Sequence, residues 1–269
     1  SVRSIDADGT EATATYDYEG DTQVVSSRIV LSGVAPAVLD DLLGRSSATP
    51  RPEGCQVKIN LVLSRLPRWK SRIDPRVAFA GTLHVAEDYG QLEAAYETST
   101  AGRVPDPMPG EFYCHSLTDE SILSPELAAK GYQTLTYFGV HTPARLFEDG
   151  DRDTVDRAVD SALDALDQHL EEPIRECLAR DSDGRPCLEA KTPQDIEHAL
   201  NMPGGHIFHG DLQWPWLDDG AEQATAGQRW GVDTGVPNVL LCGSGARRGG
   251  AVSGLGGHNA AHAVLEMLA

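Results

Sequence analysis

No stretch of this 269-residue sequence approaches the roughly 18–20 consecutive apolar residues that a membrane-spanning helix needs. The opening, SVRSIDADGTEATATY, lacks the basic segment and apolar run of a secretory signal. Cysteine is sparse: Cys55, Cys114, Cys177, Cys187 and Cys242 are widely spaced, odd in number and contain no CxxC. That pattern indicates neither a disulfide framework nor a cysteine zinc site, and it fits a reducing, cytoplasmic setting. Positive charge is short as well. Lys and Arg number 22 against 41 Asp and Glu, a formal charge of -19. Such a field repels a phosphate backbone and an anionic bilayer, which argues against nucleic acid and membrane surfaces as partners. The remainder, 40% hydrophobic and 23% charged, is the composition of a globular protein of one or two domains.

Residues 1–32 read as a small antiparallel meander, with turns at Asp8-Gly9 and Gly20-Asp21 between runs at 12–19 and 22–32. Gly33 to Pro36 breaks the last strand, and AVLDDLLG (37–44) predicts a short helix ended by Gly44. The segment RSSATPRPEG (45–54) has two prolines and no apolar pattern, and predicts a linker or domain crossing. Strand-like alternation follows at 57–66, 78–86, 110–117 and 131–140, with a helix expected over 88–102. The irregular spacing predicts a mixed or antiparallel sheet rather than a βα repeat. The clearest helix lies in 151–180, where Val155, Val159, Leu163, Leu166, Leu170, Ile174 and Leu178 recur every three or four residues. Pro173 inside that pattern predicts a kink or two helices. Asp156, Asp160, Asp164 and Asp167 read as a solvated face rather than a metal site. Thr192-Pro193 opens a further helix.

The richest segment closes the chain. NVLLCGSGARRGGAVSGLGGHNAAHAVLEMLA (238–269) reads as an apolar strand, a glycine-rich turn and an apolar helix. Glycines at this density suit a place where backbone must approach a ligand closely or take positive φ. Backbone N–H groups there, with a helix N-terminus behind them, would form an anion site for a phosphate or a polar ring edge. A dinucleotide-binding fingerprint needs a second strand with an acidic residue about 20 residues beyond the glycines, and the sequence ends at Ala269 before one can follow. Either this segment closes a domain whose beginning lies in a missing N-terminal part, or it is a packing turn that binds nothing. Among other candidates, Arg247 and Arg248 suit a phosphate or an acidic substrate, and Trp214, Trp216 and Trp230 read as core or pocket wall. No Ser/His/Asp or Cys/His constellation is legible, so no catalytic residue is assigned.

The segment PGGHIFHGDLQWPW (203–216), followed by RWGVDTGVPNVLLCGSGARRGGAVSGLGGHNAA (229–261), resembles the C-terminal part of phytoene dehydrogenase-related FAD-dependent oxidoreductases of the pyridine nucleotide-disulfide oxidoreductase domain 2 type. EFYCHSLTDESILSPELAAKGYQTLTYFGVHTP (111–143) resembles their middle region. The N-terminal GxGxxG unit of those proteins, which holds the ADP part of FAD, has no counterpart here. The resemblance implies an α+β flavoprotein fragment, with a mixed-sheet substrate domain backed by helices and an incomplete FAD-binding domain lacking the N-terminal Rossmann motif. Residues 1–36 would be an FAD-domain segment, 37–205 the substrate domain, and 206–269 the return to the FAD domain. By motif position, Gly243 and Ser244 would lie by the ribityl phosphate and Gly250, Ala251 and Val252 near the flavin ring, with Gly245 and Gly254 also in the expected cofactor-binding set. The implied activity is hydride transfer from a carbon centre to flavin, on a small-molecule substrate that could be apolar or water-soluble. The fragment alone would hold FAD weakly or not at all and be inactive without its N-terminal partner segment. A non-enzymatic scaffold or interaction module, and a histidine-metal hydrolase using His206, His209, His258 and His262, stay open beside it; the resemblance puts no metal there.

Overall fold

The computed structural model describes every residue except 46–50, 215 and 248–252. Within them the chain is mixed α+β and divides into two compact units, residues 1–53 with 200–269, and residues 54–199.

The first unit begins with the expected meander. Strands β1 (Val2–Ala7), β2 (Ala12–Tyr18) and β3 (Asp21–Ser27) pair antiparallel in sequence order. The Asp8 carboxylate accepts the N–H groups of Thr10 and Glu11 at 2.8 Å each, which fixes the first turn. The run 22–32 is not one strand. It stops at Ser27, and a separate strand β4 (Val30–Ser32) leaves the meander for another sheet. Helix α1 (Pro36–Leu42) follows, and Gly44 takes a left-handed φ of 65° beyond its end.

The second unit is built on a five-stranded antiparallel sheet, ordered β6-β7-β8-β5-β9. Its elements in chain order are β5 (Val57–Leu63), α2 (Pro75–Ala78), β6 (Leu83–Val85), α3 (Tyr89–Thr100), β7 (Gly110–Tyr113), α4 (Pro125–Ala129), β8 (Gln133–Gly139), α5 (Arg152–Asp167), β9 (Leu188–Lys191) and α6 (Pro193–Leu200). Alternation dictates which face is core. Val57, Ile59, Leu61 and Leu63 of β5 are buried, as are Leu135 and Tyr137 of β8 and Phe112 of β7. Ala158, Ala162, Leu163 and Leu166 of α5 belong to the same cluster. Each large aliphatic side chain buried there contributes about 1.5–3 kcal/mol. The Tyr137 hydroxyl is satisfied inside this core by donating to the Met108 and Pro109 carbonyls, 3.0 Å to each.

Three expectations are corrected here. The strand expected over 78–86 is only β6, because Pro75–Ala78 winds into a helical turn capped by Asp74. The strand expected over 110–117 ends at Tyr113, and His115–Leu117 turns as a 3-10 segment. The helix expected over 151–180 ends at Asp167, whose carboxylate accepts the Ile174 N–H at 2.7 Å; Ile174–Cys177 then forms a separate 3-10 turn after Pro173.

The chain then returns to the first unit. Helix α7 (Ala226–Trp230) starts at a capping box between Thr225 and Gln228 and ends at left-handed Gly231. Strand β10 (Val239–Leu241) pairs parallel with β4, Val239 opposite Val30, and helix α8 (Leu255–Leu268) closes the chain. Ile5, Leu39, Val239, Leu240, Ala260 and Ala263 form this unit's core. Among the described residues, no helix is long and apolar enough to cross a membrane.

One buried charge tests the second unit's stability. Glu172 is 8% exposed and accepts from Arg65 Nη1 at 2.6 Å and from Arg68 Nη2 at 2.7 Å, Nε at 3.0 Å and backbone N–H at 3.1 Å. Burial alone would raise its pKa; the hydrogen bonds from Arg65 and Arg68 outweigh that and hold it at about 2. A carboxylate depressed in the folded state contributes stability above its unfolded pKa, and the contribution fades as pH falls toward the folded value. Glu172→Gln is therefore expected to lower the urea midpoint at pH 7, with the gap from wild type closing between about pH 5 and pH 2. A gap independent of pH in urea titrations would contradict this.

Candidate functional site

The geometry of the closing motif starts from the parallel pair. Strands β4 and β10 run the same way, so both chains leave the sheet at the same edge, through Ser32-Gly33 and Cys242-Gly243. The Cys242 N–H donates to the Ser32 carbonyl at 2.8 Å and carries the pairing into the turn. The carboxyl ends of parallel strands are where open α/β sheets receive ligands.

The glycines in this turn answer first to the protein's own backbone. A Cβ at Gly243 would lie 2.6 Å from the Gly33 carbonyl oxygen, and one at Gly256 would lie 2.4 Å from that of Gly243. A Cβ at Gly245 would meet Pro36 Cδ at 2.5 Å. Gly254, the N-cap of α8, has a left-handed φ of 71°, and among the described residues nothing lies within 4 Å of its Cβ position. The Ser253 hydroxyl accepts the Leu255 N–H at 3.3 Å at this helix start.

Beside the turn lies a cavity of about 760 Å³ within the first unit, with Pro36, Ala37, His209, Ser244, Gly245 and Arg247 in its wall. Two polar atoms of that wall, His209 Nδ1 and Arg247 Nε, are buried without a hydrogen-bond partner among the described residues. Arg247 reaches Asp218 at 2.5 Å through Nη2. Burial, with a smaller contribution from nearby His206, holds the His209 imidazole below its ordinary pKa and favours the neutral ring. The wall also carries Arg51 and the carboxylates Glu53, Asp211, Glu222 and Asp233.

Of the residues expected from the motif, Ser244 and Gly245 line the cavity, and Gly243 and Gly254 hold the turn and the helix start on either side. Gly250, Ala251 and Val252, with Arg248, lie outside the described residues. The four-histidine arrangement does not form. The one convergent group of metal-ligating atoms among the described residues contains none of His206, His209, His258 and His262. His262 stacks on Trp230 at 4.9 Å instead, with the His258 ring 4.4 Å away. Trp214 and Trp216, expected in a core or pocket wall, are 67% and 57% exposed. They sit outside any helix or strand and stack on each other at 4.9 Å. Trp230 is half-buried and donates to Glu266 Oε2 at 2.9 Å. Pro36 and Ala37 were read only as a strand break and a helix start; the parallel β4–β10 pairing, invisible in sequence, is what brings them to the cavity.

Burial pushes the thiols of Cys114, Cys177 and Cys242 above the ordinary thiol pKa.

Adjacent glycines at the start of α8 should respond in opposite directions. Gly256→Ala is expected to cost about 1–3 kcal/mol, because backbone oxygen occupies the Cβ position. Gly257 is exposed, and the nearest atom to its Cβ position is 3.7 Å away, so Gly257→Ala should stabilise by about 0.5–1 kcal/mol. Urea unfolding of both variants checks this; equal effects would refute the close approach.

No family profile matches the chain. It is 49% identical over its whole length to uncharacterized proteins of Mycobacterium tuberculosis and Mycobacterium bovis, covering 50% of each. It is 28% identical over 92% of its length to the mouse pyridine nucleotide-disulfide oxidoreductase domain-containing protein 2, covering 43% of that protein. The chain thus spans about half the length of the curated relatives it matches.

Proposed function

We propose that this chain supplies the flavin-contacting turn and the substrate sheet of an FAD-dependent oxidoreductase, phytoene dehydrogenase-like in type, which moves a hydride from a carbon centre of a small molecule to the flavin. The observation that carries this reading is the cavity at the carboxyl ends of β4 and β10. There Ser244 and Gly245 share a wall with His209 Nδ1 and Arg247 Nε, two buried nitrogens without a partner among the described residues. Similarity to an oxidoreductase domain-containing protein supports the same direction. The residues present fit such a group: an arginine for its anionic part and neutral His209 for a polar edge.

When bound, FAD accepts the hydride leaving carbon. The chain's own residues hold and orient. The Arg247 guanidinium pairs with negative charge, and the backbone contacts of Gly243 fix where that charge sits. His209 Nδ1 gains in such a complex the partner it otherwise lacks. The wide spacing of the five cysteines, with no CxxC among them, suits hydride transfer rather than dithiol exchange and a cytoplasmic setting.

Flavin binding is read by quenching of FAD fluorescence, with the chain alone and with it joined to a GxGxxG-bearing N-terminal segment. Weak or no binding is expected alone, and stoichiometric binding in the joined form. Arg247→Ala in the joined form should weaken FAD by about ten-fold or more, the loss of a hydrogen bond to a charged group. Tight stoichiometric FAD on the chain alone would contradict the proposed division of the site. Absence of FAD from the joined form, or an unchanged affinity in Arg247→Ala, would overturn the role given to the turn.

A further inference from the structure

In the second unit, β6 and β7 pair antiparallel with His84 directly opposite Glu111. The hydrophobic alternation fixes this register: Val85 and Phe112 point into the core, which sends His84, Glu111 and Tyr113 to the opposite face. Side chains directly opposed on one face have their Cβ atoms within about 5.5 Å. Immediately after β6, Ala86 takes a left-handed φ of 55°, and the chain folds back so that Glu87 hydrogen-bonds His84 Nδ1. Glu111 Oε1 lies 3.8 Å from the same nitrogen. The three ligand atoms all fall within 4.8 Å of one another.

Two features distinguish this cluster from an exposed ion pair. The Tyr113 hydroxyl donates to Glu111 Oε2, which fixes that carboxylate with its other oxygen turned to His84. Carboxylates that bind metals are commonly held by an outer hydrogen bond of this kind. Among the described residues, moreover, no lysine or arginine pairs with Glu87 or Glu111, so one imidazole faces two carboxylates. A single ring proton serves one of them; a divalent cation serves both.

We propose that His84, Glu87 and Glu111 form a binding site for a first-row divalent cation of the zinc type. One imidazole nitrogen and two carboxylate oxygens are a donor set suited to borderline metals. Metal–ligand bonds of about 2.0–2.2 Å put tetrahedral ligands about 3.4 Å apart, a spacing small side-chain rotations reach from the observed one. His84 is 54% exposed, so the remaining coordination position opens to water. This inference does not rest on the flavin reading, since all of its residues lie in the second unit.

Isothermal titration of ZnCl2 into the 269-residue chain tests it. Wild type is expected to bind one zinc per chain, and His84→Gln and Glu111→Gln to weaken it more than about ten-fold each. Tyr113→Phe, which keeps the ligands and removes the outer hydrogen bond, should weaken it about ten-fold. The double variant H258A/H262A should bind like wild type. Circular dichroism and Tm identify any variant that fails to fold, and Glu87→Gln then takes its place. No zinc binding by wild type, unchanged affinity in folded His84→Gln, or loss of zinc confined to H258A/H262A would each overturn the proposal.

Discussion

Three stretches of backbone in the first unit lie closer together than side chains permit. The turn after β10 rests on the Gly33 carbonyl, and the first turn of α8 rests on the Gly243 carbonyl. Neither approach survives a Cβ at Gly243 or Gly256. At Gly243 and Gly256, then, the closing motif is a joint packed by the chain's own backbone. What the packing leaves open is the other side of the turn, where Ser244, Gly245 and Arg247 face a cavity. A rigid, glycine-lined edge with unpartnered nitrogens beside it is pre-organised for a ligand whose charge and polar edge match it.

The second unit solves a different problem. Its sheet buries one face against α5 through strict alternation on β5 and β8, so the other face is free to carry polar groups. Lys58, Asn60, Glu111, Tyr113, Thr134 and Thr136 stand on that half-buried face. The Glu172 clamp ties the segment after α5 to the chain beyond β5 through Arg65 and Arg68. Both arrangements follow from one rule: a buried charge needs several partners, and a half-buried polar face needs none beyond water.

Local signals in the sequence carried the local structure. Asp8-Gly9 and Gly20-Asp21 marked the meander turns, and the alternation from Val57 to Leu63 marked the central strand, because each depends on neighbours within a few residues. The separate course of β4 was not legible, since its partner β10 lies at the far end of the chain. Strand β9 escaped because LEAK alternates over only four residues, too short a run to mark a strand without its pairing with β5. At the candidate site, the glycines and Ser244 were readable, whereas the contribution of Pro36, Ala37 and His209 depends on tertiary placement. His84, Glu87 and Glu111 gave no spacing signal, because the β6–β7 register that joins them is not written in either strand alone.

The account's central claim is that the joint formed by the β10 turn and the start of α8 is a flavin-contacting surface. Hydrogen exchange of the flavin-loaded, joined protein against its flavin-free form measures this directly. The account predicts slowed exchange concentrated in Cys242–Arg247 and the first turn of α8, with the meander β1–β3 unchanged. Flavin bound stoichiometrically with those amides exchanging as before would contradict it.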